Sequence, residues 1–151
     1  MPGVSWLSFV KMQPVLIKSL SSSNELQLSE QEGLLRPEGA EYYRVALQAK
    51  DLTASAKVYA FEPHGALAQY FADLAAHWTG WNGEKKWCSL EGEFTLSCKS
   101  DGCGHVAMEV ALKSGLYKDD WSVQVMINVD AGQLEEIASN IKLFFSICAA
   151  S

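Results

Sequence analysis

The chain has 151 residues, 48% of them hydrophobic and 20% charged, and its 18 acidic against 12 basic side chains leave a net charge of −6. That length and composition fit one globular domain able to bury a core without disulfides or metal, and they exclude the disordered, collagen-like and coiled-coil classes. A pI near 5.0 sets the chain against phosphate backbones unless its basic residues gather on one face, and in sequence only Lys85 and Lys86 are neighbours.

No apolar run reaches the roughly 20 residues a membrane span needs, so no transmembrane helix is expected. The short apolar stretch in Met1–Val10 is followed, not preceded, by the positive charges Lys11 and Lys18, the reverse of a secretory signal, which predicts a cytoplasmic protein. Cys88, Cys98, Cys103 and Cys148 are then expected as reduced thiols.

From Gln13 to Gln31, Val15 and Ile17, a Ser21-Ser22-Ser23-Asn24 turn, and Leu26 and Leu28 between polar residues predict a β-hairpin. Gly33 to Gly39, with Arg36-Pro37, reads as a loop. Tyr43, Val45 and Leu47 alternate up to a turn near Lys50-Asp51; either Ala56, Val58 and Ala60 or the opposite set Lys57, Tyr59 and Phe61 carry the next strand. Pro63 suits a helix start, and Leu67, Tyr70, Phe71, Leu74, Ala75 and Trp78 then repeat at helical spacing.

Trp78 to Trp87 holds three of the five tryptophans and two glycines. One reading is a helix C-terminus capped by Gly80, with tryptophans closing a core; the other is a tryptophan-lined recognition surface. Beyond it, Trp87 to Cys98 reads as one alternating segment through Leu90, Gly92, Phe94 and Leu96. A Ser100–Gly104 turn leads into a strand with Val106, Met108, Val110 and Leu112. After a polar loop at Gly115–Asp120, Trp121, Val123, Val125, Ile127 and Val129 alternate as a strand, and Asp130 caps a helix carrying Leu134, Ile137, Ala138, Ile141, Phe144 and Phe145.

Side by side, the elements look like one unit written twice. Glu25–Ser29 matches Glu93–Ser97, and Val58, Gly65 and Leu67 match Val125, Gly132 and Leu134 at nearly the same offset. The expected fold is a single α+β domain over residues 1–151, mostly antiparallel sheet with two amphipathic helices, as a tandem βββα pseudo-repeat with halves at about 13–79 and 86–147. Neither half has enough apolar faces to close a core alone, so the helices should pack together or across one curved sheet.

Cys98, Cys103 and His105 are the only cluster with metal-ligand atoms. Their spacing is wide for zinc, and Cys88 or His77 would have to join from elsewhere. A hairpin turn at Asp101-Gly102, with the cysteines as small apolar residues, accounts for the same residues without a metal. His64, His77 and His105 carry no nucleophile signature, Glu91/Glu93 and Glu135/Glu136 read as solvated surface, and no glycine fingerprint cradles phosphate. Neither a catalytic residue nor a cofactor is expected. What remains is surface: Asp119, Asp120 and Trp121 at the rim of the last strand, with Trp81 and Glu84 in the tryptophan segment, form the candidate partner-binding set, since aromatics anchor and charges steer.

At Trp78-x-Gly80-Trp81-x-Gly83, followed by the strand pair and by Asp130-Ala131-Gly132-Gln133-Leu134, the chain resembles small uncharacterised bacterial proteins grouped with polymorphic-toxin immunity proteins, over about residues 40–146. The resemblance implies an acidic, cytoplasmic, non-enzymatic protein that blocks one basic toxin partner; it assigns no binding residues. The tandem strand-rich architecture is also similar to Whirly and PUR single-stranded nucleic-acid binders, which would use Tyr42, Tyr43, Tyr59, Trp87 and Trp121 as stacking platforms. The acidic balance argues against nucleic acid and for the inhibitor.

Overall fold

A computed structural model of the protein describes residues 14–29, 42–60, 66–115 and 117–149, with side chains through residue 145. The Met1–Val10 stretch, the Gly33–Gly39 loop, Phe61, Pro63, His64 and Gly65, on which parts of the sequence reading rest, lie outside those residues.

Alternation decides the first half. β1 (Val15–Lys18), β2 (Glu25–Ser29), β3 (Tyr42–Ala49) and β4 (Leu52–Tyr59) pair antiparallel in sequence order. Val15, Ile17, Leu26, Leu28, Tyr43, Val45, Leu47, Ala54, Ala56 and Val58 all turn inward and are buried, as a period of two requires when one face meets a core. In β4 the inward set is the alanine–valine one, so Lys57 and Tyr59 face out.

α1 (Leu67–Ala76) follows, burying Leu67, Phe71 and Leu74. The helix ends before Trp78, which is 60% exposed, so the apolar stripe stops one turn short of the expected length.

The second half repeats the plan with β5 (Glu84–Cys88), β6 (Phe94–Ser100), β7 (His105–Lys113) and β8 (Ser122–Asp130), again antiparallel in sequence order. A short 3-10 turn at Ala131–Gln133 leads into α2 (Leu134–Ala149), and the Asp130 backbone N–H donates to Gln133 Oε1 at 2.9 Å, the return half of a capping box. One expectation is corrected here: Trp87 to Cys98 is two strands, not one. The chain reverses at Ser89–Glu93, where the buried Ser89 hydroxyl donates to Glu93 Oε1 at 2.5 Å and accepts from the Phe94 N–H at 3.1 Å. Each helix therefore follows a four-stranded sheet.

The halves share one core. Buried side chains of both sheets and both helices form a single cluster. The two helices pack on each other, and each also reaches strands of the other half. From α1, the Tyr70 hydroxyl donates to the Lys85 carbonyl of β5 at 2.7 Å. From α2, Phe144 and Phe145 meet Tyr43 of β3 edge-on, with centroids 6.3 and 5.2 Å away. β4 also comes close to β7 of the other half, and its buried face carries the small residues Ala54 and Ala56. Leu67 and Leu134 are both fully buried, and so are Leu74 and Ile141 at the same offset; these pairs are the repeat expressed as packing.

Candidate partner-binding surface

The tryptophan segment is largely structural. Gly80 and Gly83 take φ of +126° and +75°, a region that glycine enters without a Cβ penalty, and this turns the chain from α1 into β5. Trp81 is half-buried, and its indole N–H donates to the Cys98 carbonyl at 3.1 Å. Lys85 Nζ lies 5.9 Å from the Trp81 ring centroid and 2.9 Å from Asp73 Oδ2, tying α1 to the start of β5. Trp87 packs inward, edge-on to Phe94 at 5.4 Å. Burial, followed by the neighbouring Cys98, raises the Tyr70 phenol well above its ordinary value, and burial pushes the Cys98 thiol up to about 11.

Glu84 stands on the outer face of the second sheet. Its carboxylate accepts from Ser97 Oγ at 2.9 Å and pairs with Lys99 at 3.2 Å and Lys86 at 3.5 Å. The Ser97 hydroxyl, then Lys99, hold its carboxyl below the usual range. The charge is compensated within the sheet, so Glu84 has little left to steer a distant partner. Beside it a shallow groove of about 370 Å³ runs along the outer face, lined by Lys86, Cys88, Thr95, Ser97 and Glu109 among others.

The β7–β8 loop holds the other candidates. Asp120 accepts from Ser114 Oγ at 3.2 Å and from the Tyr117 N–H at 2.9 Å, while Ser114 Oγ accepts from the Trp121 N–H at 3.0 Å. Asp120 is a loop lock. Asp119 and Trp121 are exposed, and so is Tyr117, at 85%. Sequence reasoning passed over Tyr117 as part of a polar loop.

The β5–β6 turn joins this loop at one end of the sheet, because Phe94 pairs with Leu112 and the Lys113 N–H donates to the Glu93 carbonyl at 2.8 Å. That places Leu90, 55% exposed, in the same tip as Tyr117 and Trp121. The same two connections carry Glu91, Glu93, Asp119 and Asp120, against Lys118 and Lys113 at the end of β7. Trp81 and Glu84 are not part of this tip: Glu84 pairs with Lys99, at the opposite end of β6 from Phe94. The five candidates thus divide between two ends of one sheet.

The Cys98, Cys103 and His105 cluster does not converge. Cys98 is buried on the inner face while Cys103 is exposed. Asp101 Oδ1 accepts from the Cys103 and His105 N–H groups, and Asp101 Oδ2 lies 2.8 Å from His105 Nδ1. Gly102 and Gly104, with φ of +75° and +92°, complete the hairpin turn. Among the described residues no group of three or more His, Cys, Asp or Glu side chains is placed to hold a metal ion. His77 Nδ1 is taken up at 2.8 Å by the Asp73 carbonyl. Among the described residues no helix is long and apolar enough to cross a membrane.

The two sheets and paired helices define an α+β protein built as an internal repeat. Residues 17–147 match the model of a family described as "Family of unknown function (DUF6228)", and the chain belongs to that family. No curated protein and no solved structure matches it. The family's description assigns no activity and gives no link to immunity proteins.

Proposed function

We propose that the protein is a cytoplasmic, non-enzymatic binding module of the immunity or antitoxin type, whose tip on the second sheet docks a basic toxin domain. The observation that carries this reading is the exposed set Leu90, Tyr117 and Trp121 inside an acidic surround of Glu91, Glu93, Asp119 and Asp120. Aromatic side chains bring large contact area at low entropic cost, and like-signed charges around them speed encounter with an oppositely charged partner. Two features support binding over chemistry: His77 is engaged by the Asp73 carbonyl and His105 by the Asp101 carboxylate, and Cys98 is buried with a raised pKa.

The experiment is a parallel pull-down from host lysate with the wild-type chain and with a Tyr117→Ala/Trp121→Ala variant of unchanged melting temperature. The expected result is one basic protein in stoichiometric amount with the wild type and its loss with the variant. Equal recovery by both removes the tip from the proposal, and no stoichiometric protein with the wild type removes the inhibitor reading.

A further inference from the structure

The sequence objection to an anionic partner was that the basic residues are scattered. Alternation and register gather some of them. Lys18, Arg44 and Lys57 all project from the outer face of the first sheet, where Glu25, opposite Lys18, is the one carboxylate at the described strand positions. Arg44 and Lys57 are directly paired across β3 and β4, and Arg44 Nη1 donates to Ser55 Oγ at 3.0 Å. Next to them Tyr42 and Tyr59 are also cross-strand partners, with ring centroids 5.3 Å apart and Lys57 Nζ 4.8 Å from the Tyr42 centroid. Gln27, Ala46, Gln48, Thr53 and Ser55 fill the rest of the face.

We infer that this outer face of the first sheet binds single-stranded nucleic acid, with phosphates on Lys18, Arg44 and Lys57 and a base against the Tyr42–Tyr59 pair. The chemistry selects this class of partner over an acidic protein. Leu16 is the only strongly exposed aliphatic residue at these described strand positions, so beyond the tyrosine pair the face offers little aliphatic surface for the core of a protein interface. A base needs only an aromatic face and a cation track, and stacking of that kind tolerates any sequence. Across four strands and about four residues of register, the track from Lys18 to Lys57 runs diagonally for about 20 Å. The face is separate from the acidic tip, which belongs to the other sheet.

The test is fluorescence anisotropy of a labelled oligothymidine and of the same strand annealed to its complement, titrated with the full chain from low to moderate salt. Three phosphate contacts predict that the logarithm of the binding constant falls with the logarithm of salt at a slope of about −2. Lys18→Gln and Lys57→Gln should each weaken binding by about fivefold at 0.1 M salt, the value of one lost contact. Tyr59→Ala should weaken single-strand binding. Melting temperatures of all variants, and the intact binding of a Lys118→Gln control, separate loss of the face from loss of the fold. No binding at low salt overturns the inference, as does equal affinity for the duplex or for polyglutamate, or insensitivity to the Lys18 and Lys57 substitutions.

Discussion

The carboxylate of Asp120 occupies the space that a side chain at Gly115 would need, so a Cβ there would have to displace the end of the Asp120 side chain. Asp120 there binds Ser114 Oγ and the Tyr117 N–H. Gly115→Ala should displace the carboxylate and cost about 1–3 kcal/mol, the usual range for overpacking. Asp120→Ala should cost about 1–2 kcal/mol through the lost hydrogen bonds. The double variant should cost less than the sum, because with Asp120 gone the alanine methyl has room. Urea unfolding of the three variants reads this directly, and additive losses would show that the two residues do not compete for space.

The tryptophans of the α1–β5 segment should separate in the same kind of measurement. Trp81 is half-buried and hydrogen-bonded to the Cys98 carbonyl, whereas Trp78 stands 60% exposed. Trp81→Ala should cost about 2–3 kcal/mol, below the range for a fully buried aromatic, and Trp81→Phe about 1 kcal/mol for the lost N–H donor. Trp78→Ala should stay within about 0.5 kcal/mol of the wild type. A large loss at Trp78 would mean that the end of α1 is held by that ring.

How much of this was legible in the sequence depends on which physical signal each feature leaves. Strands with one buried face, such as Tyr43–Leu47 and Val106–Leu112, announce themselves by period, and their inward sets are those expected. The break between β5 and β6 left a fainter mark. Trp87 is inward at an odd position while Phe94 and Leu96 are inward at even ones, a change of phase that a single strand cannot make without a bulge. Leu90, which the alternation places in a strand, lies in the β5–β6 turn instead. Tyr43 was offered as an exposed platform but is fully buried against Phe144 and Phe145, because hydroxyl-bearing aromatics satisfy the same pattern as core residues. The meeting of Arg44 with Lys57 and of Leu90 with Tyr117 was beyond the sequence, since each depends on register or on two turns sharing one end of a sheet.

Asp101 carries a prediction about acid. The Cys103 backbone N–H, then His105, hold its carboxyl below the ordinary value. A carboxylate with a depressed folded-state pKa contributes stability that is present above its unfolded pKa, about 3.9, and is lost as pH falls through the folded value. Asp101→Asn keeps one acceptor but removes the charge. Its stability deficit against the wild type, measured by urea unfolding at pH 5, should therefore narrow as the pH drops below about 4. A deficit that stays constant or widens in that window would show that the charge of Asp101 adds nothing to the turn.

The last prediction concerns the joint between the two sheets. β8 is one of the two edge strands of the second sheet among the described residues, and exposed edges invite pairing with other chains. Here the β1–β2 turn clasps it. The Leu20 N–H donates to the Asn128 carbonyl at 2.9 Å and the Asn128 N–H to Ser19 Oγ at 3.0 Å. Asn128 Nδ2 donates to Ser21 Oγ, and Asn24 Nδ2 to the Met126 carbonyl, both at 2.8 Å. Ser19→Ala should leave the Asn128 N–H without that acceptor and cost about 1 kcal/mol, and Asn24→Ala a similar amount. Because both bonds fasten one turn to one strand, losing the first should already loosen the second. The double variant should then fall short of additivity by about 0.5 kcal/mol or more. It should also aggregate at lower concentration than the wild type as the β8 edge is uncovered, which light scattering at matched fractions folded would detect. Strict additivity with unchanged solubility would show that the clasp neither couples the halves nor guards the edge.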